Sequence, residues 1–384
     1  MKQSANKKTR ILVLDGDHKN ALAIVRHLGK TGNYRIEVAS YGKASICFFS
    51  KYTAKKYIIS HPLKNAAAYL RELLETLKKN KIDVLLPVSH ISYKICAQNV
   101  DEIRKYTHIT LPEFEKIELA SSKIATYRLA EKLKIPYPSF FEIEKIEDVR
   151  KIDIDFPCVI KAPFEAGKNI VEYANDKTEL LKKYEKICRE NSFESKLPII
   201  QKYVEGQGFG FFAYYENGKC KSYFMHKRIR EYPVTGGASV CAESFYDEKL
   251  MVFGKKILDY LKWNGVAMVE FKKDNRTGIY NLMEINAKFW GSLELALVSG
   301  VDFPQMLIDK ALNKKVSYPE HYAMKRFQWI LNGELFHGLE KPKNIPAIIK
   351  DLFVSKKDIS FSDFKPNFYQ LFYIPVFYLK KWFK

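Results

Sequence analysis

Glu284-Ile285-Asn286-Ala287-Lys288-Phe289-Trp290-Gly291-Ser292 sets a carboxylate, a carboxamide and an ammonium group two residues apart, ahead of an aromatic turn. On an extended strand side chains alternate between faces, so Glu284, Asn286 and Lys288 point one way while Met283, Ile285 and Ala287 point the other. An acid, an amide and a base in series offer oxygen ligands to a hard cation beside a charge that suits phosphate.

Immediately upstream, Val266-Ala267-Met268-Val269-Glu270-Phe271-Lys272 reads as an apolar strand with one acid near its end. The turn formers Lys273-Asp274-Asn275-Arg276-Thr277-Gly278 follow. Two antiparallel strands are expected, each with a carboxylate. Mg²⁺ is usually held by one or two carboxylates plus the phosphates of a substrate, and Glu270, Glu284 and Asn286 can supply that partial shell. The competing reading is a surface hairpin with solvated charges, and the residues alone do not set the register that would bring the acids together.

Working outward, Ser121-Ser122-Lys123-Ile124 opens an amphipathic helix that ends before Ile135-Pro136. Phe156-Pro157-Cys158-Val159-Ile160-Lys161 is an apolar strand delivering a lysine, which in a buried setting must reach solvent or meet an anion. Leu197 to Gly206 reads as a strand running into a hinge. There Gln201, Lys202, Tyr203 and Val204 provide either an apolar wall with amide and backbone hydrogen bonds for a flat ring, or an ordinary buried strand and turn. In His226-Lys227-Arg228-Ile229-Arg230, the two arginines share a face in a regular strand. They can clamp a carboxylate or phosphate, with Gly236 and Gly237 permitting close backbone approach, or they form a charged edge strand.

The run from Glu270 through Glu284-x-Asn286-x-Lys288-Phe289-Trp290-Gly291-Ser292 resembles the metal and phosphate segment of the ATP-grasp superfamily, in particular its carboxylate-amine ligases. The resemblance implies an α/β ATP-grasp fold with an N-terminal Rossmann-like domain. It also implies ATP and Mg²⁺ (or Mn²⁺) as cofactors, and activation of a small-molecule carboxylate as an acyl phosphate that an amine then attacks. On that basis Glu270, Glu284 and Asn286 hold the metal, and Lys123 and Lys161 meet ATP phosphates. Gly167 and Lys168 lie in the flap over the nucleotide, Gln201, Lys202, Tyr203 and Val204 take adenine, and Gln207 reaches the ribose. Lys288, Arg228 and Arg230 face the transferred phosphoryl and acyl-phosphate groups. The chain departs from the family in having Lys288 where arginine is usual, a single flap glycine, and glutamines at two acid positions. These departures support the alternative of a non-catalytic, nucleotide-binding and membrane-associated accessory protein.

The first third alternates: Arg10 to Leu14 strand, Asn20 to Lys30 helix, Arg35 to Ser40 strand, Ala66 to Asn80 helix, Val84 to Val88 strand. This pattern predicts a doubly wound α/β unit with a parallel sheet. No G-x-G-x-x-G follows the first strand, and Asp15, Asp17 and Pro87-Val88-Ser89-His90 are the expected edges of a substrate site at the strand ends. The expected organisation is 1–120, then 121–312 with a lid subdomain, then a basic aromatic extension over 313–384.

Composition allows such an enzyme: 384 residues, 47% hydrophobic, are ample for packed cores. Six scattered cysteines without a C-x-x-C pair argue against a zinc site or disulfide framework, and no signal peptide is evident, so a cytoplasmic protein is expected. The net charge of +20 is spread along the chain without a nucleic-acid-binding motif, and no nucleic-acid partner is expected. The stretch from Phe368 to Lys384 is aromatic and lysine-bearing, interrupted by Pro375. It suits either a tail packed on the enzyme or a peripheral membrane contact at the inner membrane face.

Overall fold

Ile11, Leu12, Val13 and Leu14 are all fully buried, the mark of a strand covered on both faces as parallel sheets require. In the computed structural model, which describes residues 8–164, 170–191, 193 and 196–372, they belong to β1 (Thr9–Val13) and its continuation. With β2 (Tyr34–Ser40), β3 (Thr53–Ile58) and β4 (Val84–Leu86), β1 builds a parallel sheet of order β3-β2-β1-β4. The helices Lys19–Thr31 and Ala66–Asn80 connect these strands and His90–Gln98 follows β4, so the predicted α/β alternation holds.

The chain leaves β1 through Asp15, at a φ of 60° uncommon for a residue with a side chain. Its carboxylate accepts hydrogen bonds from the Val88 and Ser89 main-chain N–H groups at 3.0 and 2.7 Å, and from the Ser89 and Ser92 hydroxyls at 3.0 and 2.6 Å. Negative charge is favoured at a helix N-terminus. Asp15 therefore fastens the end of β1 to the start of helix His90–Gln98, and its hydrogen-bonding capacity is taken up by the fold.

A small antiparallel sheet of order β5-β8-β6-β7 follows, made of β5 (Phe140–Phe141), β6 (Cys158–Lys161), β7 (Val171–Ala174) and β8 (Ile199–Lys202). Its own core of Cys158, Ile160, Ala174, Leu180, Tyr184 and Ile200 is separate from that of the rest of the protein. The third sheet has seven strands: β9 (Gly206–Glu216), β10 (Lys219–Tyr232), β11 (Ala238–Ser244), β12 (Gly265–Asp274), β13 (Tyr280–Asn286), β14 (Arg326–Gln328) and β15 (Lys356–Lys357). Their order is β13-β12-β9-β10-β11-β14-β15, antiparallel except for the last pair. Phe212, Tyr214, Phe224 and Trp290 pack on one face of this sheet and Phe211 on the other, all in one core cluster with residues of the N-terminal sheet.

Beyond residue 312 the chain runs on into the same seven-stranded sheet through β14 and β15. Polar groups fasten it. Arg26 donates to the Asp363 carboxylate at 3.0 Å, to the Asp358 carbonyl at 3.0 Å and to the Asn367 side chain at 2.6 Å. Arg230 donates to Glu334 at 2.7 Å and to Asp351 at 2.6 Å, while Arg326 reaches the other Asp351 oxygen at 2.5 Å. Of the aromatic stretch 368–384, residues 368–372 close a helix over 364–372 and the remainder lies outside the described residues.

Removing one partner of a buried pair leaves an uncompensated charge. Asp363→Ala strands Arg26 and is expected to lower unfolding free energy by about 3–5 kcal/mol, read from urea denaturation. A loss of under about 1 kcal/mol would mean that this contact does not hold the C-terminal segment to the N-terminal sheet.

Candidate functional site

Antiparallel pairing of β12 with β13 puts Glu270 directly opposite Glu284, and Met268 opposite Asn286. Directly paired residues share a face, and two like charges so placed repel. The repulsion is relieved by neighbours. An Arg228 guanidinium nitrogen lies 2.5 Å from Glu270, and the Lys123 ammonium lies 3.9 Å from Glu284. On the Glu284 side the expected alternation is realised as a hydrogen-bonded chain. Asn286 Nδ2 donates to Glu284 Oε1 at 2.8 Å, and Lys288 Nζ donates to Asn286 Oδ1 at 3.2 Å.

The two acids differ in basicity. Burial pushes Glu270 up to about 7, with Arg228 opposing the rise and Glu284 adding to it. Burial pushes Glu284 in the same direction, but Lys123, the Asn286 hydrogen bond, Lys288 and Lys161 outweigh it and hold the carboxyl below its ordinary value.

Two lysines approach from the other side of the cleft. Lys123 opens helix Lys123–Lys132, where the Ser122 hydroxyl caps Ala125 N at 3.2 Å and the Lys123 main chain donates to Pro163 O at 2.9 Å. Lys161 ends β6, paired with Ile199 and Val171 on either side. Burial and then the neighbouring Lys123 bring its pKa down to about 8.

These groups line a cavity of about 410 Å³ between the small sheet and the seven-stranded sheet. Glu270, Glu284, Asn286, Lys288, Lys123, Lys161, Arg228 and the hinge Gln201-Lys202-Tyr203-Val204 all border it. Gln201 is buried beside Tyr127, and among the described residues its Nε2 makes no hydrogen bond of good geometry. Tyr203 lines the same cavity; its ring and that of Tyr173 are T-shaped with centroids 5.8 Å apart, and the Lys272 ammonium lies 4.8 Å over the Tyr203 ring. Close approaches require glycine twice. A Cβ on Gly208 would lie 2.7 Å from Arg228 Cδ, and one on Gly236, where φ is 136°, would lie 2.3 Å from the Tyr173 hydroxyl.

Two expected residues lie elsewhere. The β10/β11 register slips on both sides of Arg230, and a bulge re-aims the side chains of the bulged strand. Arg228 consequently borders the cavity while Arg230 turns into the buried network with Glu334 and Asp351. Gln207 is exposed, and its amide donates to the Arg228 carbonyl at 2.6 Å. Gly167 and Lys168 lie outside the described residues.

His18, Lys19 and Asn20, at the start of the first helix, also border the cavity and were not singled out from the sequence. Asn20 Nδ2 donates to the Phe289 carbonyl at 3.1 Å, joining the N-terminal sheet to the aromatic turn. Lys19 lies 5.3 Å over the Trp329 ring. The signal was their place one to three residues past Asp17 at a strand end. Lys272 follows Glu270 by two residues and was legible from that alternation. A second cavity of about 360 Å³ lies against the N-terminal sheet, lined by Tyr41, His61, Ser89 and His90. It shares His18, Asn20, Lys123, Glu284 and Lys288 with the first.

Among the described residues no cluster of three or more Asp, Glu, His or Cys is arranged to hold a metal unaided. Two opposed carboxylates beside an amide do fit Mg²⁺, which takes its remaining ligands from phosphate and water. A cation there also answers the burial and the Glu284 repulsion that together raise Glu270.

A family model described as "ATP-grasp in the biosynthetic pathway with Ter operon" matches residues 217–331. The D-aspartate ligase of Enterococcus faecium is 22% identical over 279 residues, which cover 66% of this chain and 65% of that protein. The chain thus spans about two thirds of the length of that relative. Among solved structures, the biotin carboxylase domain of Hydrogenobacter thermophilus 2-oxoglutarate carboxylase, in complex with MgADP, ADP and bicarbonate, superposes with a TM-score of 0.66. It is 15% identical, with 83% of this chain and 73% of that one covered. The L-amino acid ligase of Bacillus licheniformis gives 0.62 at 14% identity, covering 81% and 76%. The fold, the opposed-carboxylate hairpin and these similarities agree: the chain has the ATP-grasp fold, and its residues 217–331 match an ATP-grasp family model.

Proposed function

We propose that this protein is an ATP-dependent, ADP-forming ligase that activates a small-molecule carboxylate as an acyl phosphate for attack by an amine. The observation that carries this reading is the junction of the two cavities. Glu284, Lys288 and Lys123 border both, so a phosphoryl donor in the larger cavity and a carboxylate in the smaller one meet at the same side chains. The similarity to a D-aspartate ligase and an L-amino acid ligase supports a carbon–nitrogen bond as the product.

In this reading the buried Gln201 amide and the Tyr203 and Val204 wall take adenine, with Lys202 at the cavity's edge. Lys161 and Lys123 meet phosphates, where each cation is worth more than in water because the cleft is desolvated. Glu270, Glu284 and Asn286 would hold Mg²⁺ or Mn²⁺, which neutralises phosphate charge when bound. Lys288 is held on Asn286 at the junction and faces the charge that develops on the transferred group. Arg228 opposes the rise in the Glu270 pKa and borders the cavity, positioned for the acyl phosphate. Transfer of this kind requires alignment and charge stabilisation rather than a nucleophilic side chain.

Hydroxylamine supplied with ATP, Mg²⁺ and a panel of amino and hydroxy acids is expected to trap an acyl hydroxamate with stoichiometric ADP. Release of AMP and pyrophosphate would sink the proposed chemistry. Lys288→Met is expected to lower kcat by about 10²–10³-fold with little change in KM for ATP, and Lys288→Arg to recover most of it. Near wild-type kcat in Lys288→Met would remove Lys288 from the reaction. Because Lys161 is cationic below about 8 and neutral above it, MgATP affinity measured by calorimetry should weaken as pH rises past 8. The limiting slope is roughly tenfold per pH unit. Lys161→Met should bind weakly at every pH, and a variant that keeps the wild-type pH profile would show that another group is responsible.

A further inference from the structure

The C-terminal segment is built inside out. Helix Ile345–Val354 has Asp351 as its one fully buried residue, while Ile345, Ile349 and Phe353, spaced four apart on one stripe, are 42%, 51% and 85% exposed. The helix over 364–372 repeats the arrangement. Phe364, Phe368 and Phe372 form an outward stripe with ring centroids 6.3 and 4.5 Å apart, and Asn367 and Gln370 are buried beneath it. Leu339 and Phe361, at 75% and 88% exposed, extend the same apolar set between and beside the helices. A helix packed on a globular surface for its own stability turns its apolar side inward. Exposed apolar stripes on consecutive helices mark a docking surface.

Charge identifies what docks there. Over 335–372 the acids are Glu340, Asp351, Asp358 and Asp363, and all but Glu340 are buried. Asp351 and Asp363 meet Arg230, Arg326 and Arg26, while Asp358 accepts from Leu331 N at 3.2 Å and Asn332 Nδ2 at 2.8 Å. Lys343, Lys350, Lys356 and Lys365 remain exposed. The outer face of this segment is therefore apolar and net cationic, with three of its four acids withdrawn into the protein. A second copy of the chain docking face to face would set lysines against lysines. An anionic lipid surface satisfies both properties at once, accepting apolar side chains below its headgroups and lysines among them. Among the described residues no helix is long and apolar enough to cross a membrane, so the contact is interfacial.

We infer that the face carried by residues 335–372 docks the protein on an anionic membrane surface, independently of the reaction assigned to the cleft. The test is flotation of the full-length protein with vesicles of phosphatidylcholine and phosphatidylglycerol in equal parts, against phosphatidylcholine alone, at low and raised salt. Wild type should float with the mixed vesicles, poorly with phosphatidylcholine, and less as salt rises. Phe353→Ser/Phe361→Ser should reduce partitioning by about tenfold or more. Lys343→Glu/Lys350→Glu should reduce it by at least roughly fivefold per lysine and blunt the salt dependence. Thermal melting and MgATP binding establish that each variant is folded, and the lysine pair serves if the phenylalanine pair is not. Three results overturn the inference: no flotation of wild type, equal flotation of wild type and folded variants, or equal binding to both vesicle types. A concentration-dependent dimer that the phenylalanine variant dissociates, without vesicle binding, assigns the face to a second copy and equally overturns it.

Discussion

Two carboxylates facing each other across one antiparallel pair organise this molecule. Strand pairing places Glu270 against Glu284 at a separation where like charges repel, and the surrounding architecture supplies compensation from different parts of the chain. Arg228 arrives from β10, Lys123 from the start of a helix, and Lys288 through Asn286. Each of these also borders a cavity. The charges that make the hairpin tolerable are therefore the charges available to phosphate, and site and fold share one electrostatic problem. The unequal outcome, Glu270 raised and Glu284 lowered, follows from where the cations sit rather than from any difference between the acids.

The same economy operates at the other end of the protein. Arg26, from the first helix, and Arg230, from the central sheet, are desolvated side chains that need acceptors. The segment over 330–372 provides Glu334, Asp351 and Asp363. Drawing acids inward fastens the segment across both sheets, and its apolar residues are left outside. Arg228 and Arg230, two residues apart, illustrate how finely this is divided: one serves the cleft and the other the clamp.

Legibility from the sequence tracked periodicity. The period-two alternation of Glu284, Asn286 and Lys288 survived into the structure as a hydrogen-bonded series, and the strand-delivered lysine became Lys161 at the end of β6. The parallel N-terminal sheet was readable from its alternation of strands and helices, while β3, with Lys55 and Lys56 at its centre, carries no apolar run and was not expected. Arg230 was not readable, since register slips beside it break the alternation on which the reading relied. Gln207 was placed by analogy with an acid position, but at the exposed start of β9 its amide finds a backbone carbonyl instead. His18, Lys19 and Asn20 carry no local signal beyond following a strand end, and they reach the cleft only because the first helix packs against the Phe289-Trp290 turn.

The sequence by itself determined the local pieces: which segments are strands and helices, which residues a strand turns to one face, and the chemical types gathered around Glu284. These depend on neighbours two to four residues away. Tertiary structure alone decided that Glu270 and Glu284 stand opposite one another, that three lysines and an arginine converge on them, and that the C-terminal acids point inward while its phenylalanines point out. Register, bulges and the pairing of buried charges are set by contacts between residues tens to hundreds of positions apart, and no local pattern encodes the balance of desolvation and attraction that selects them.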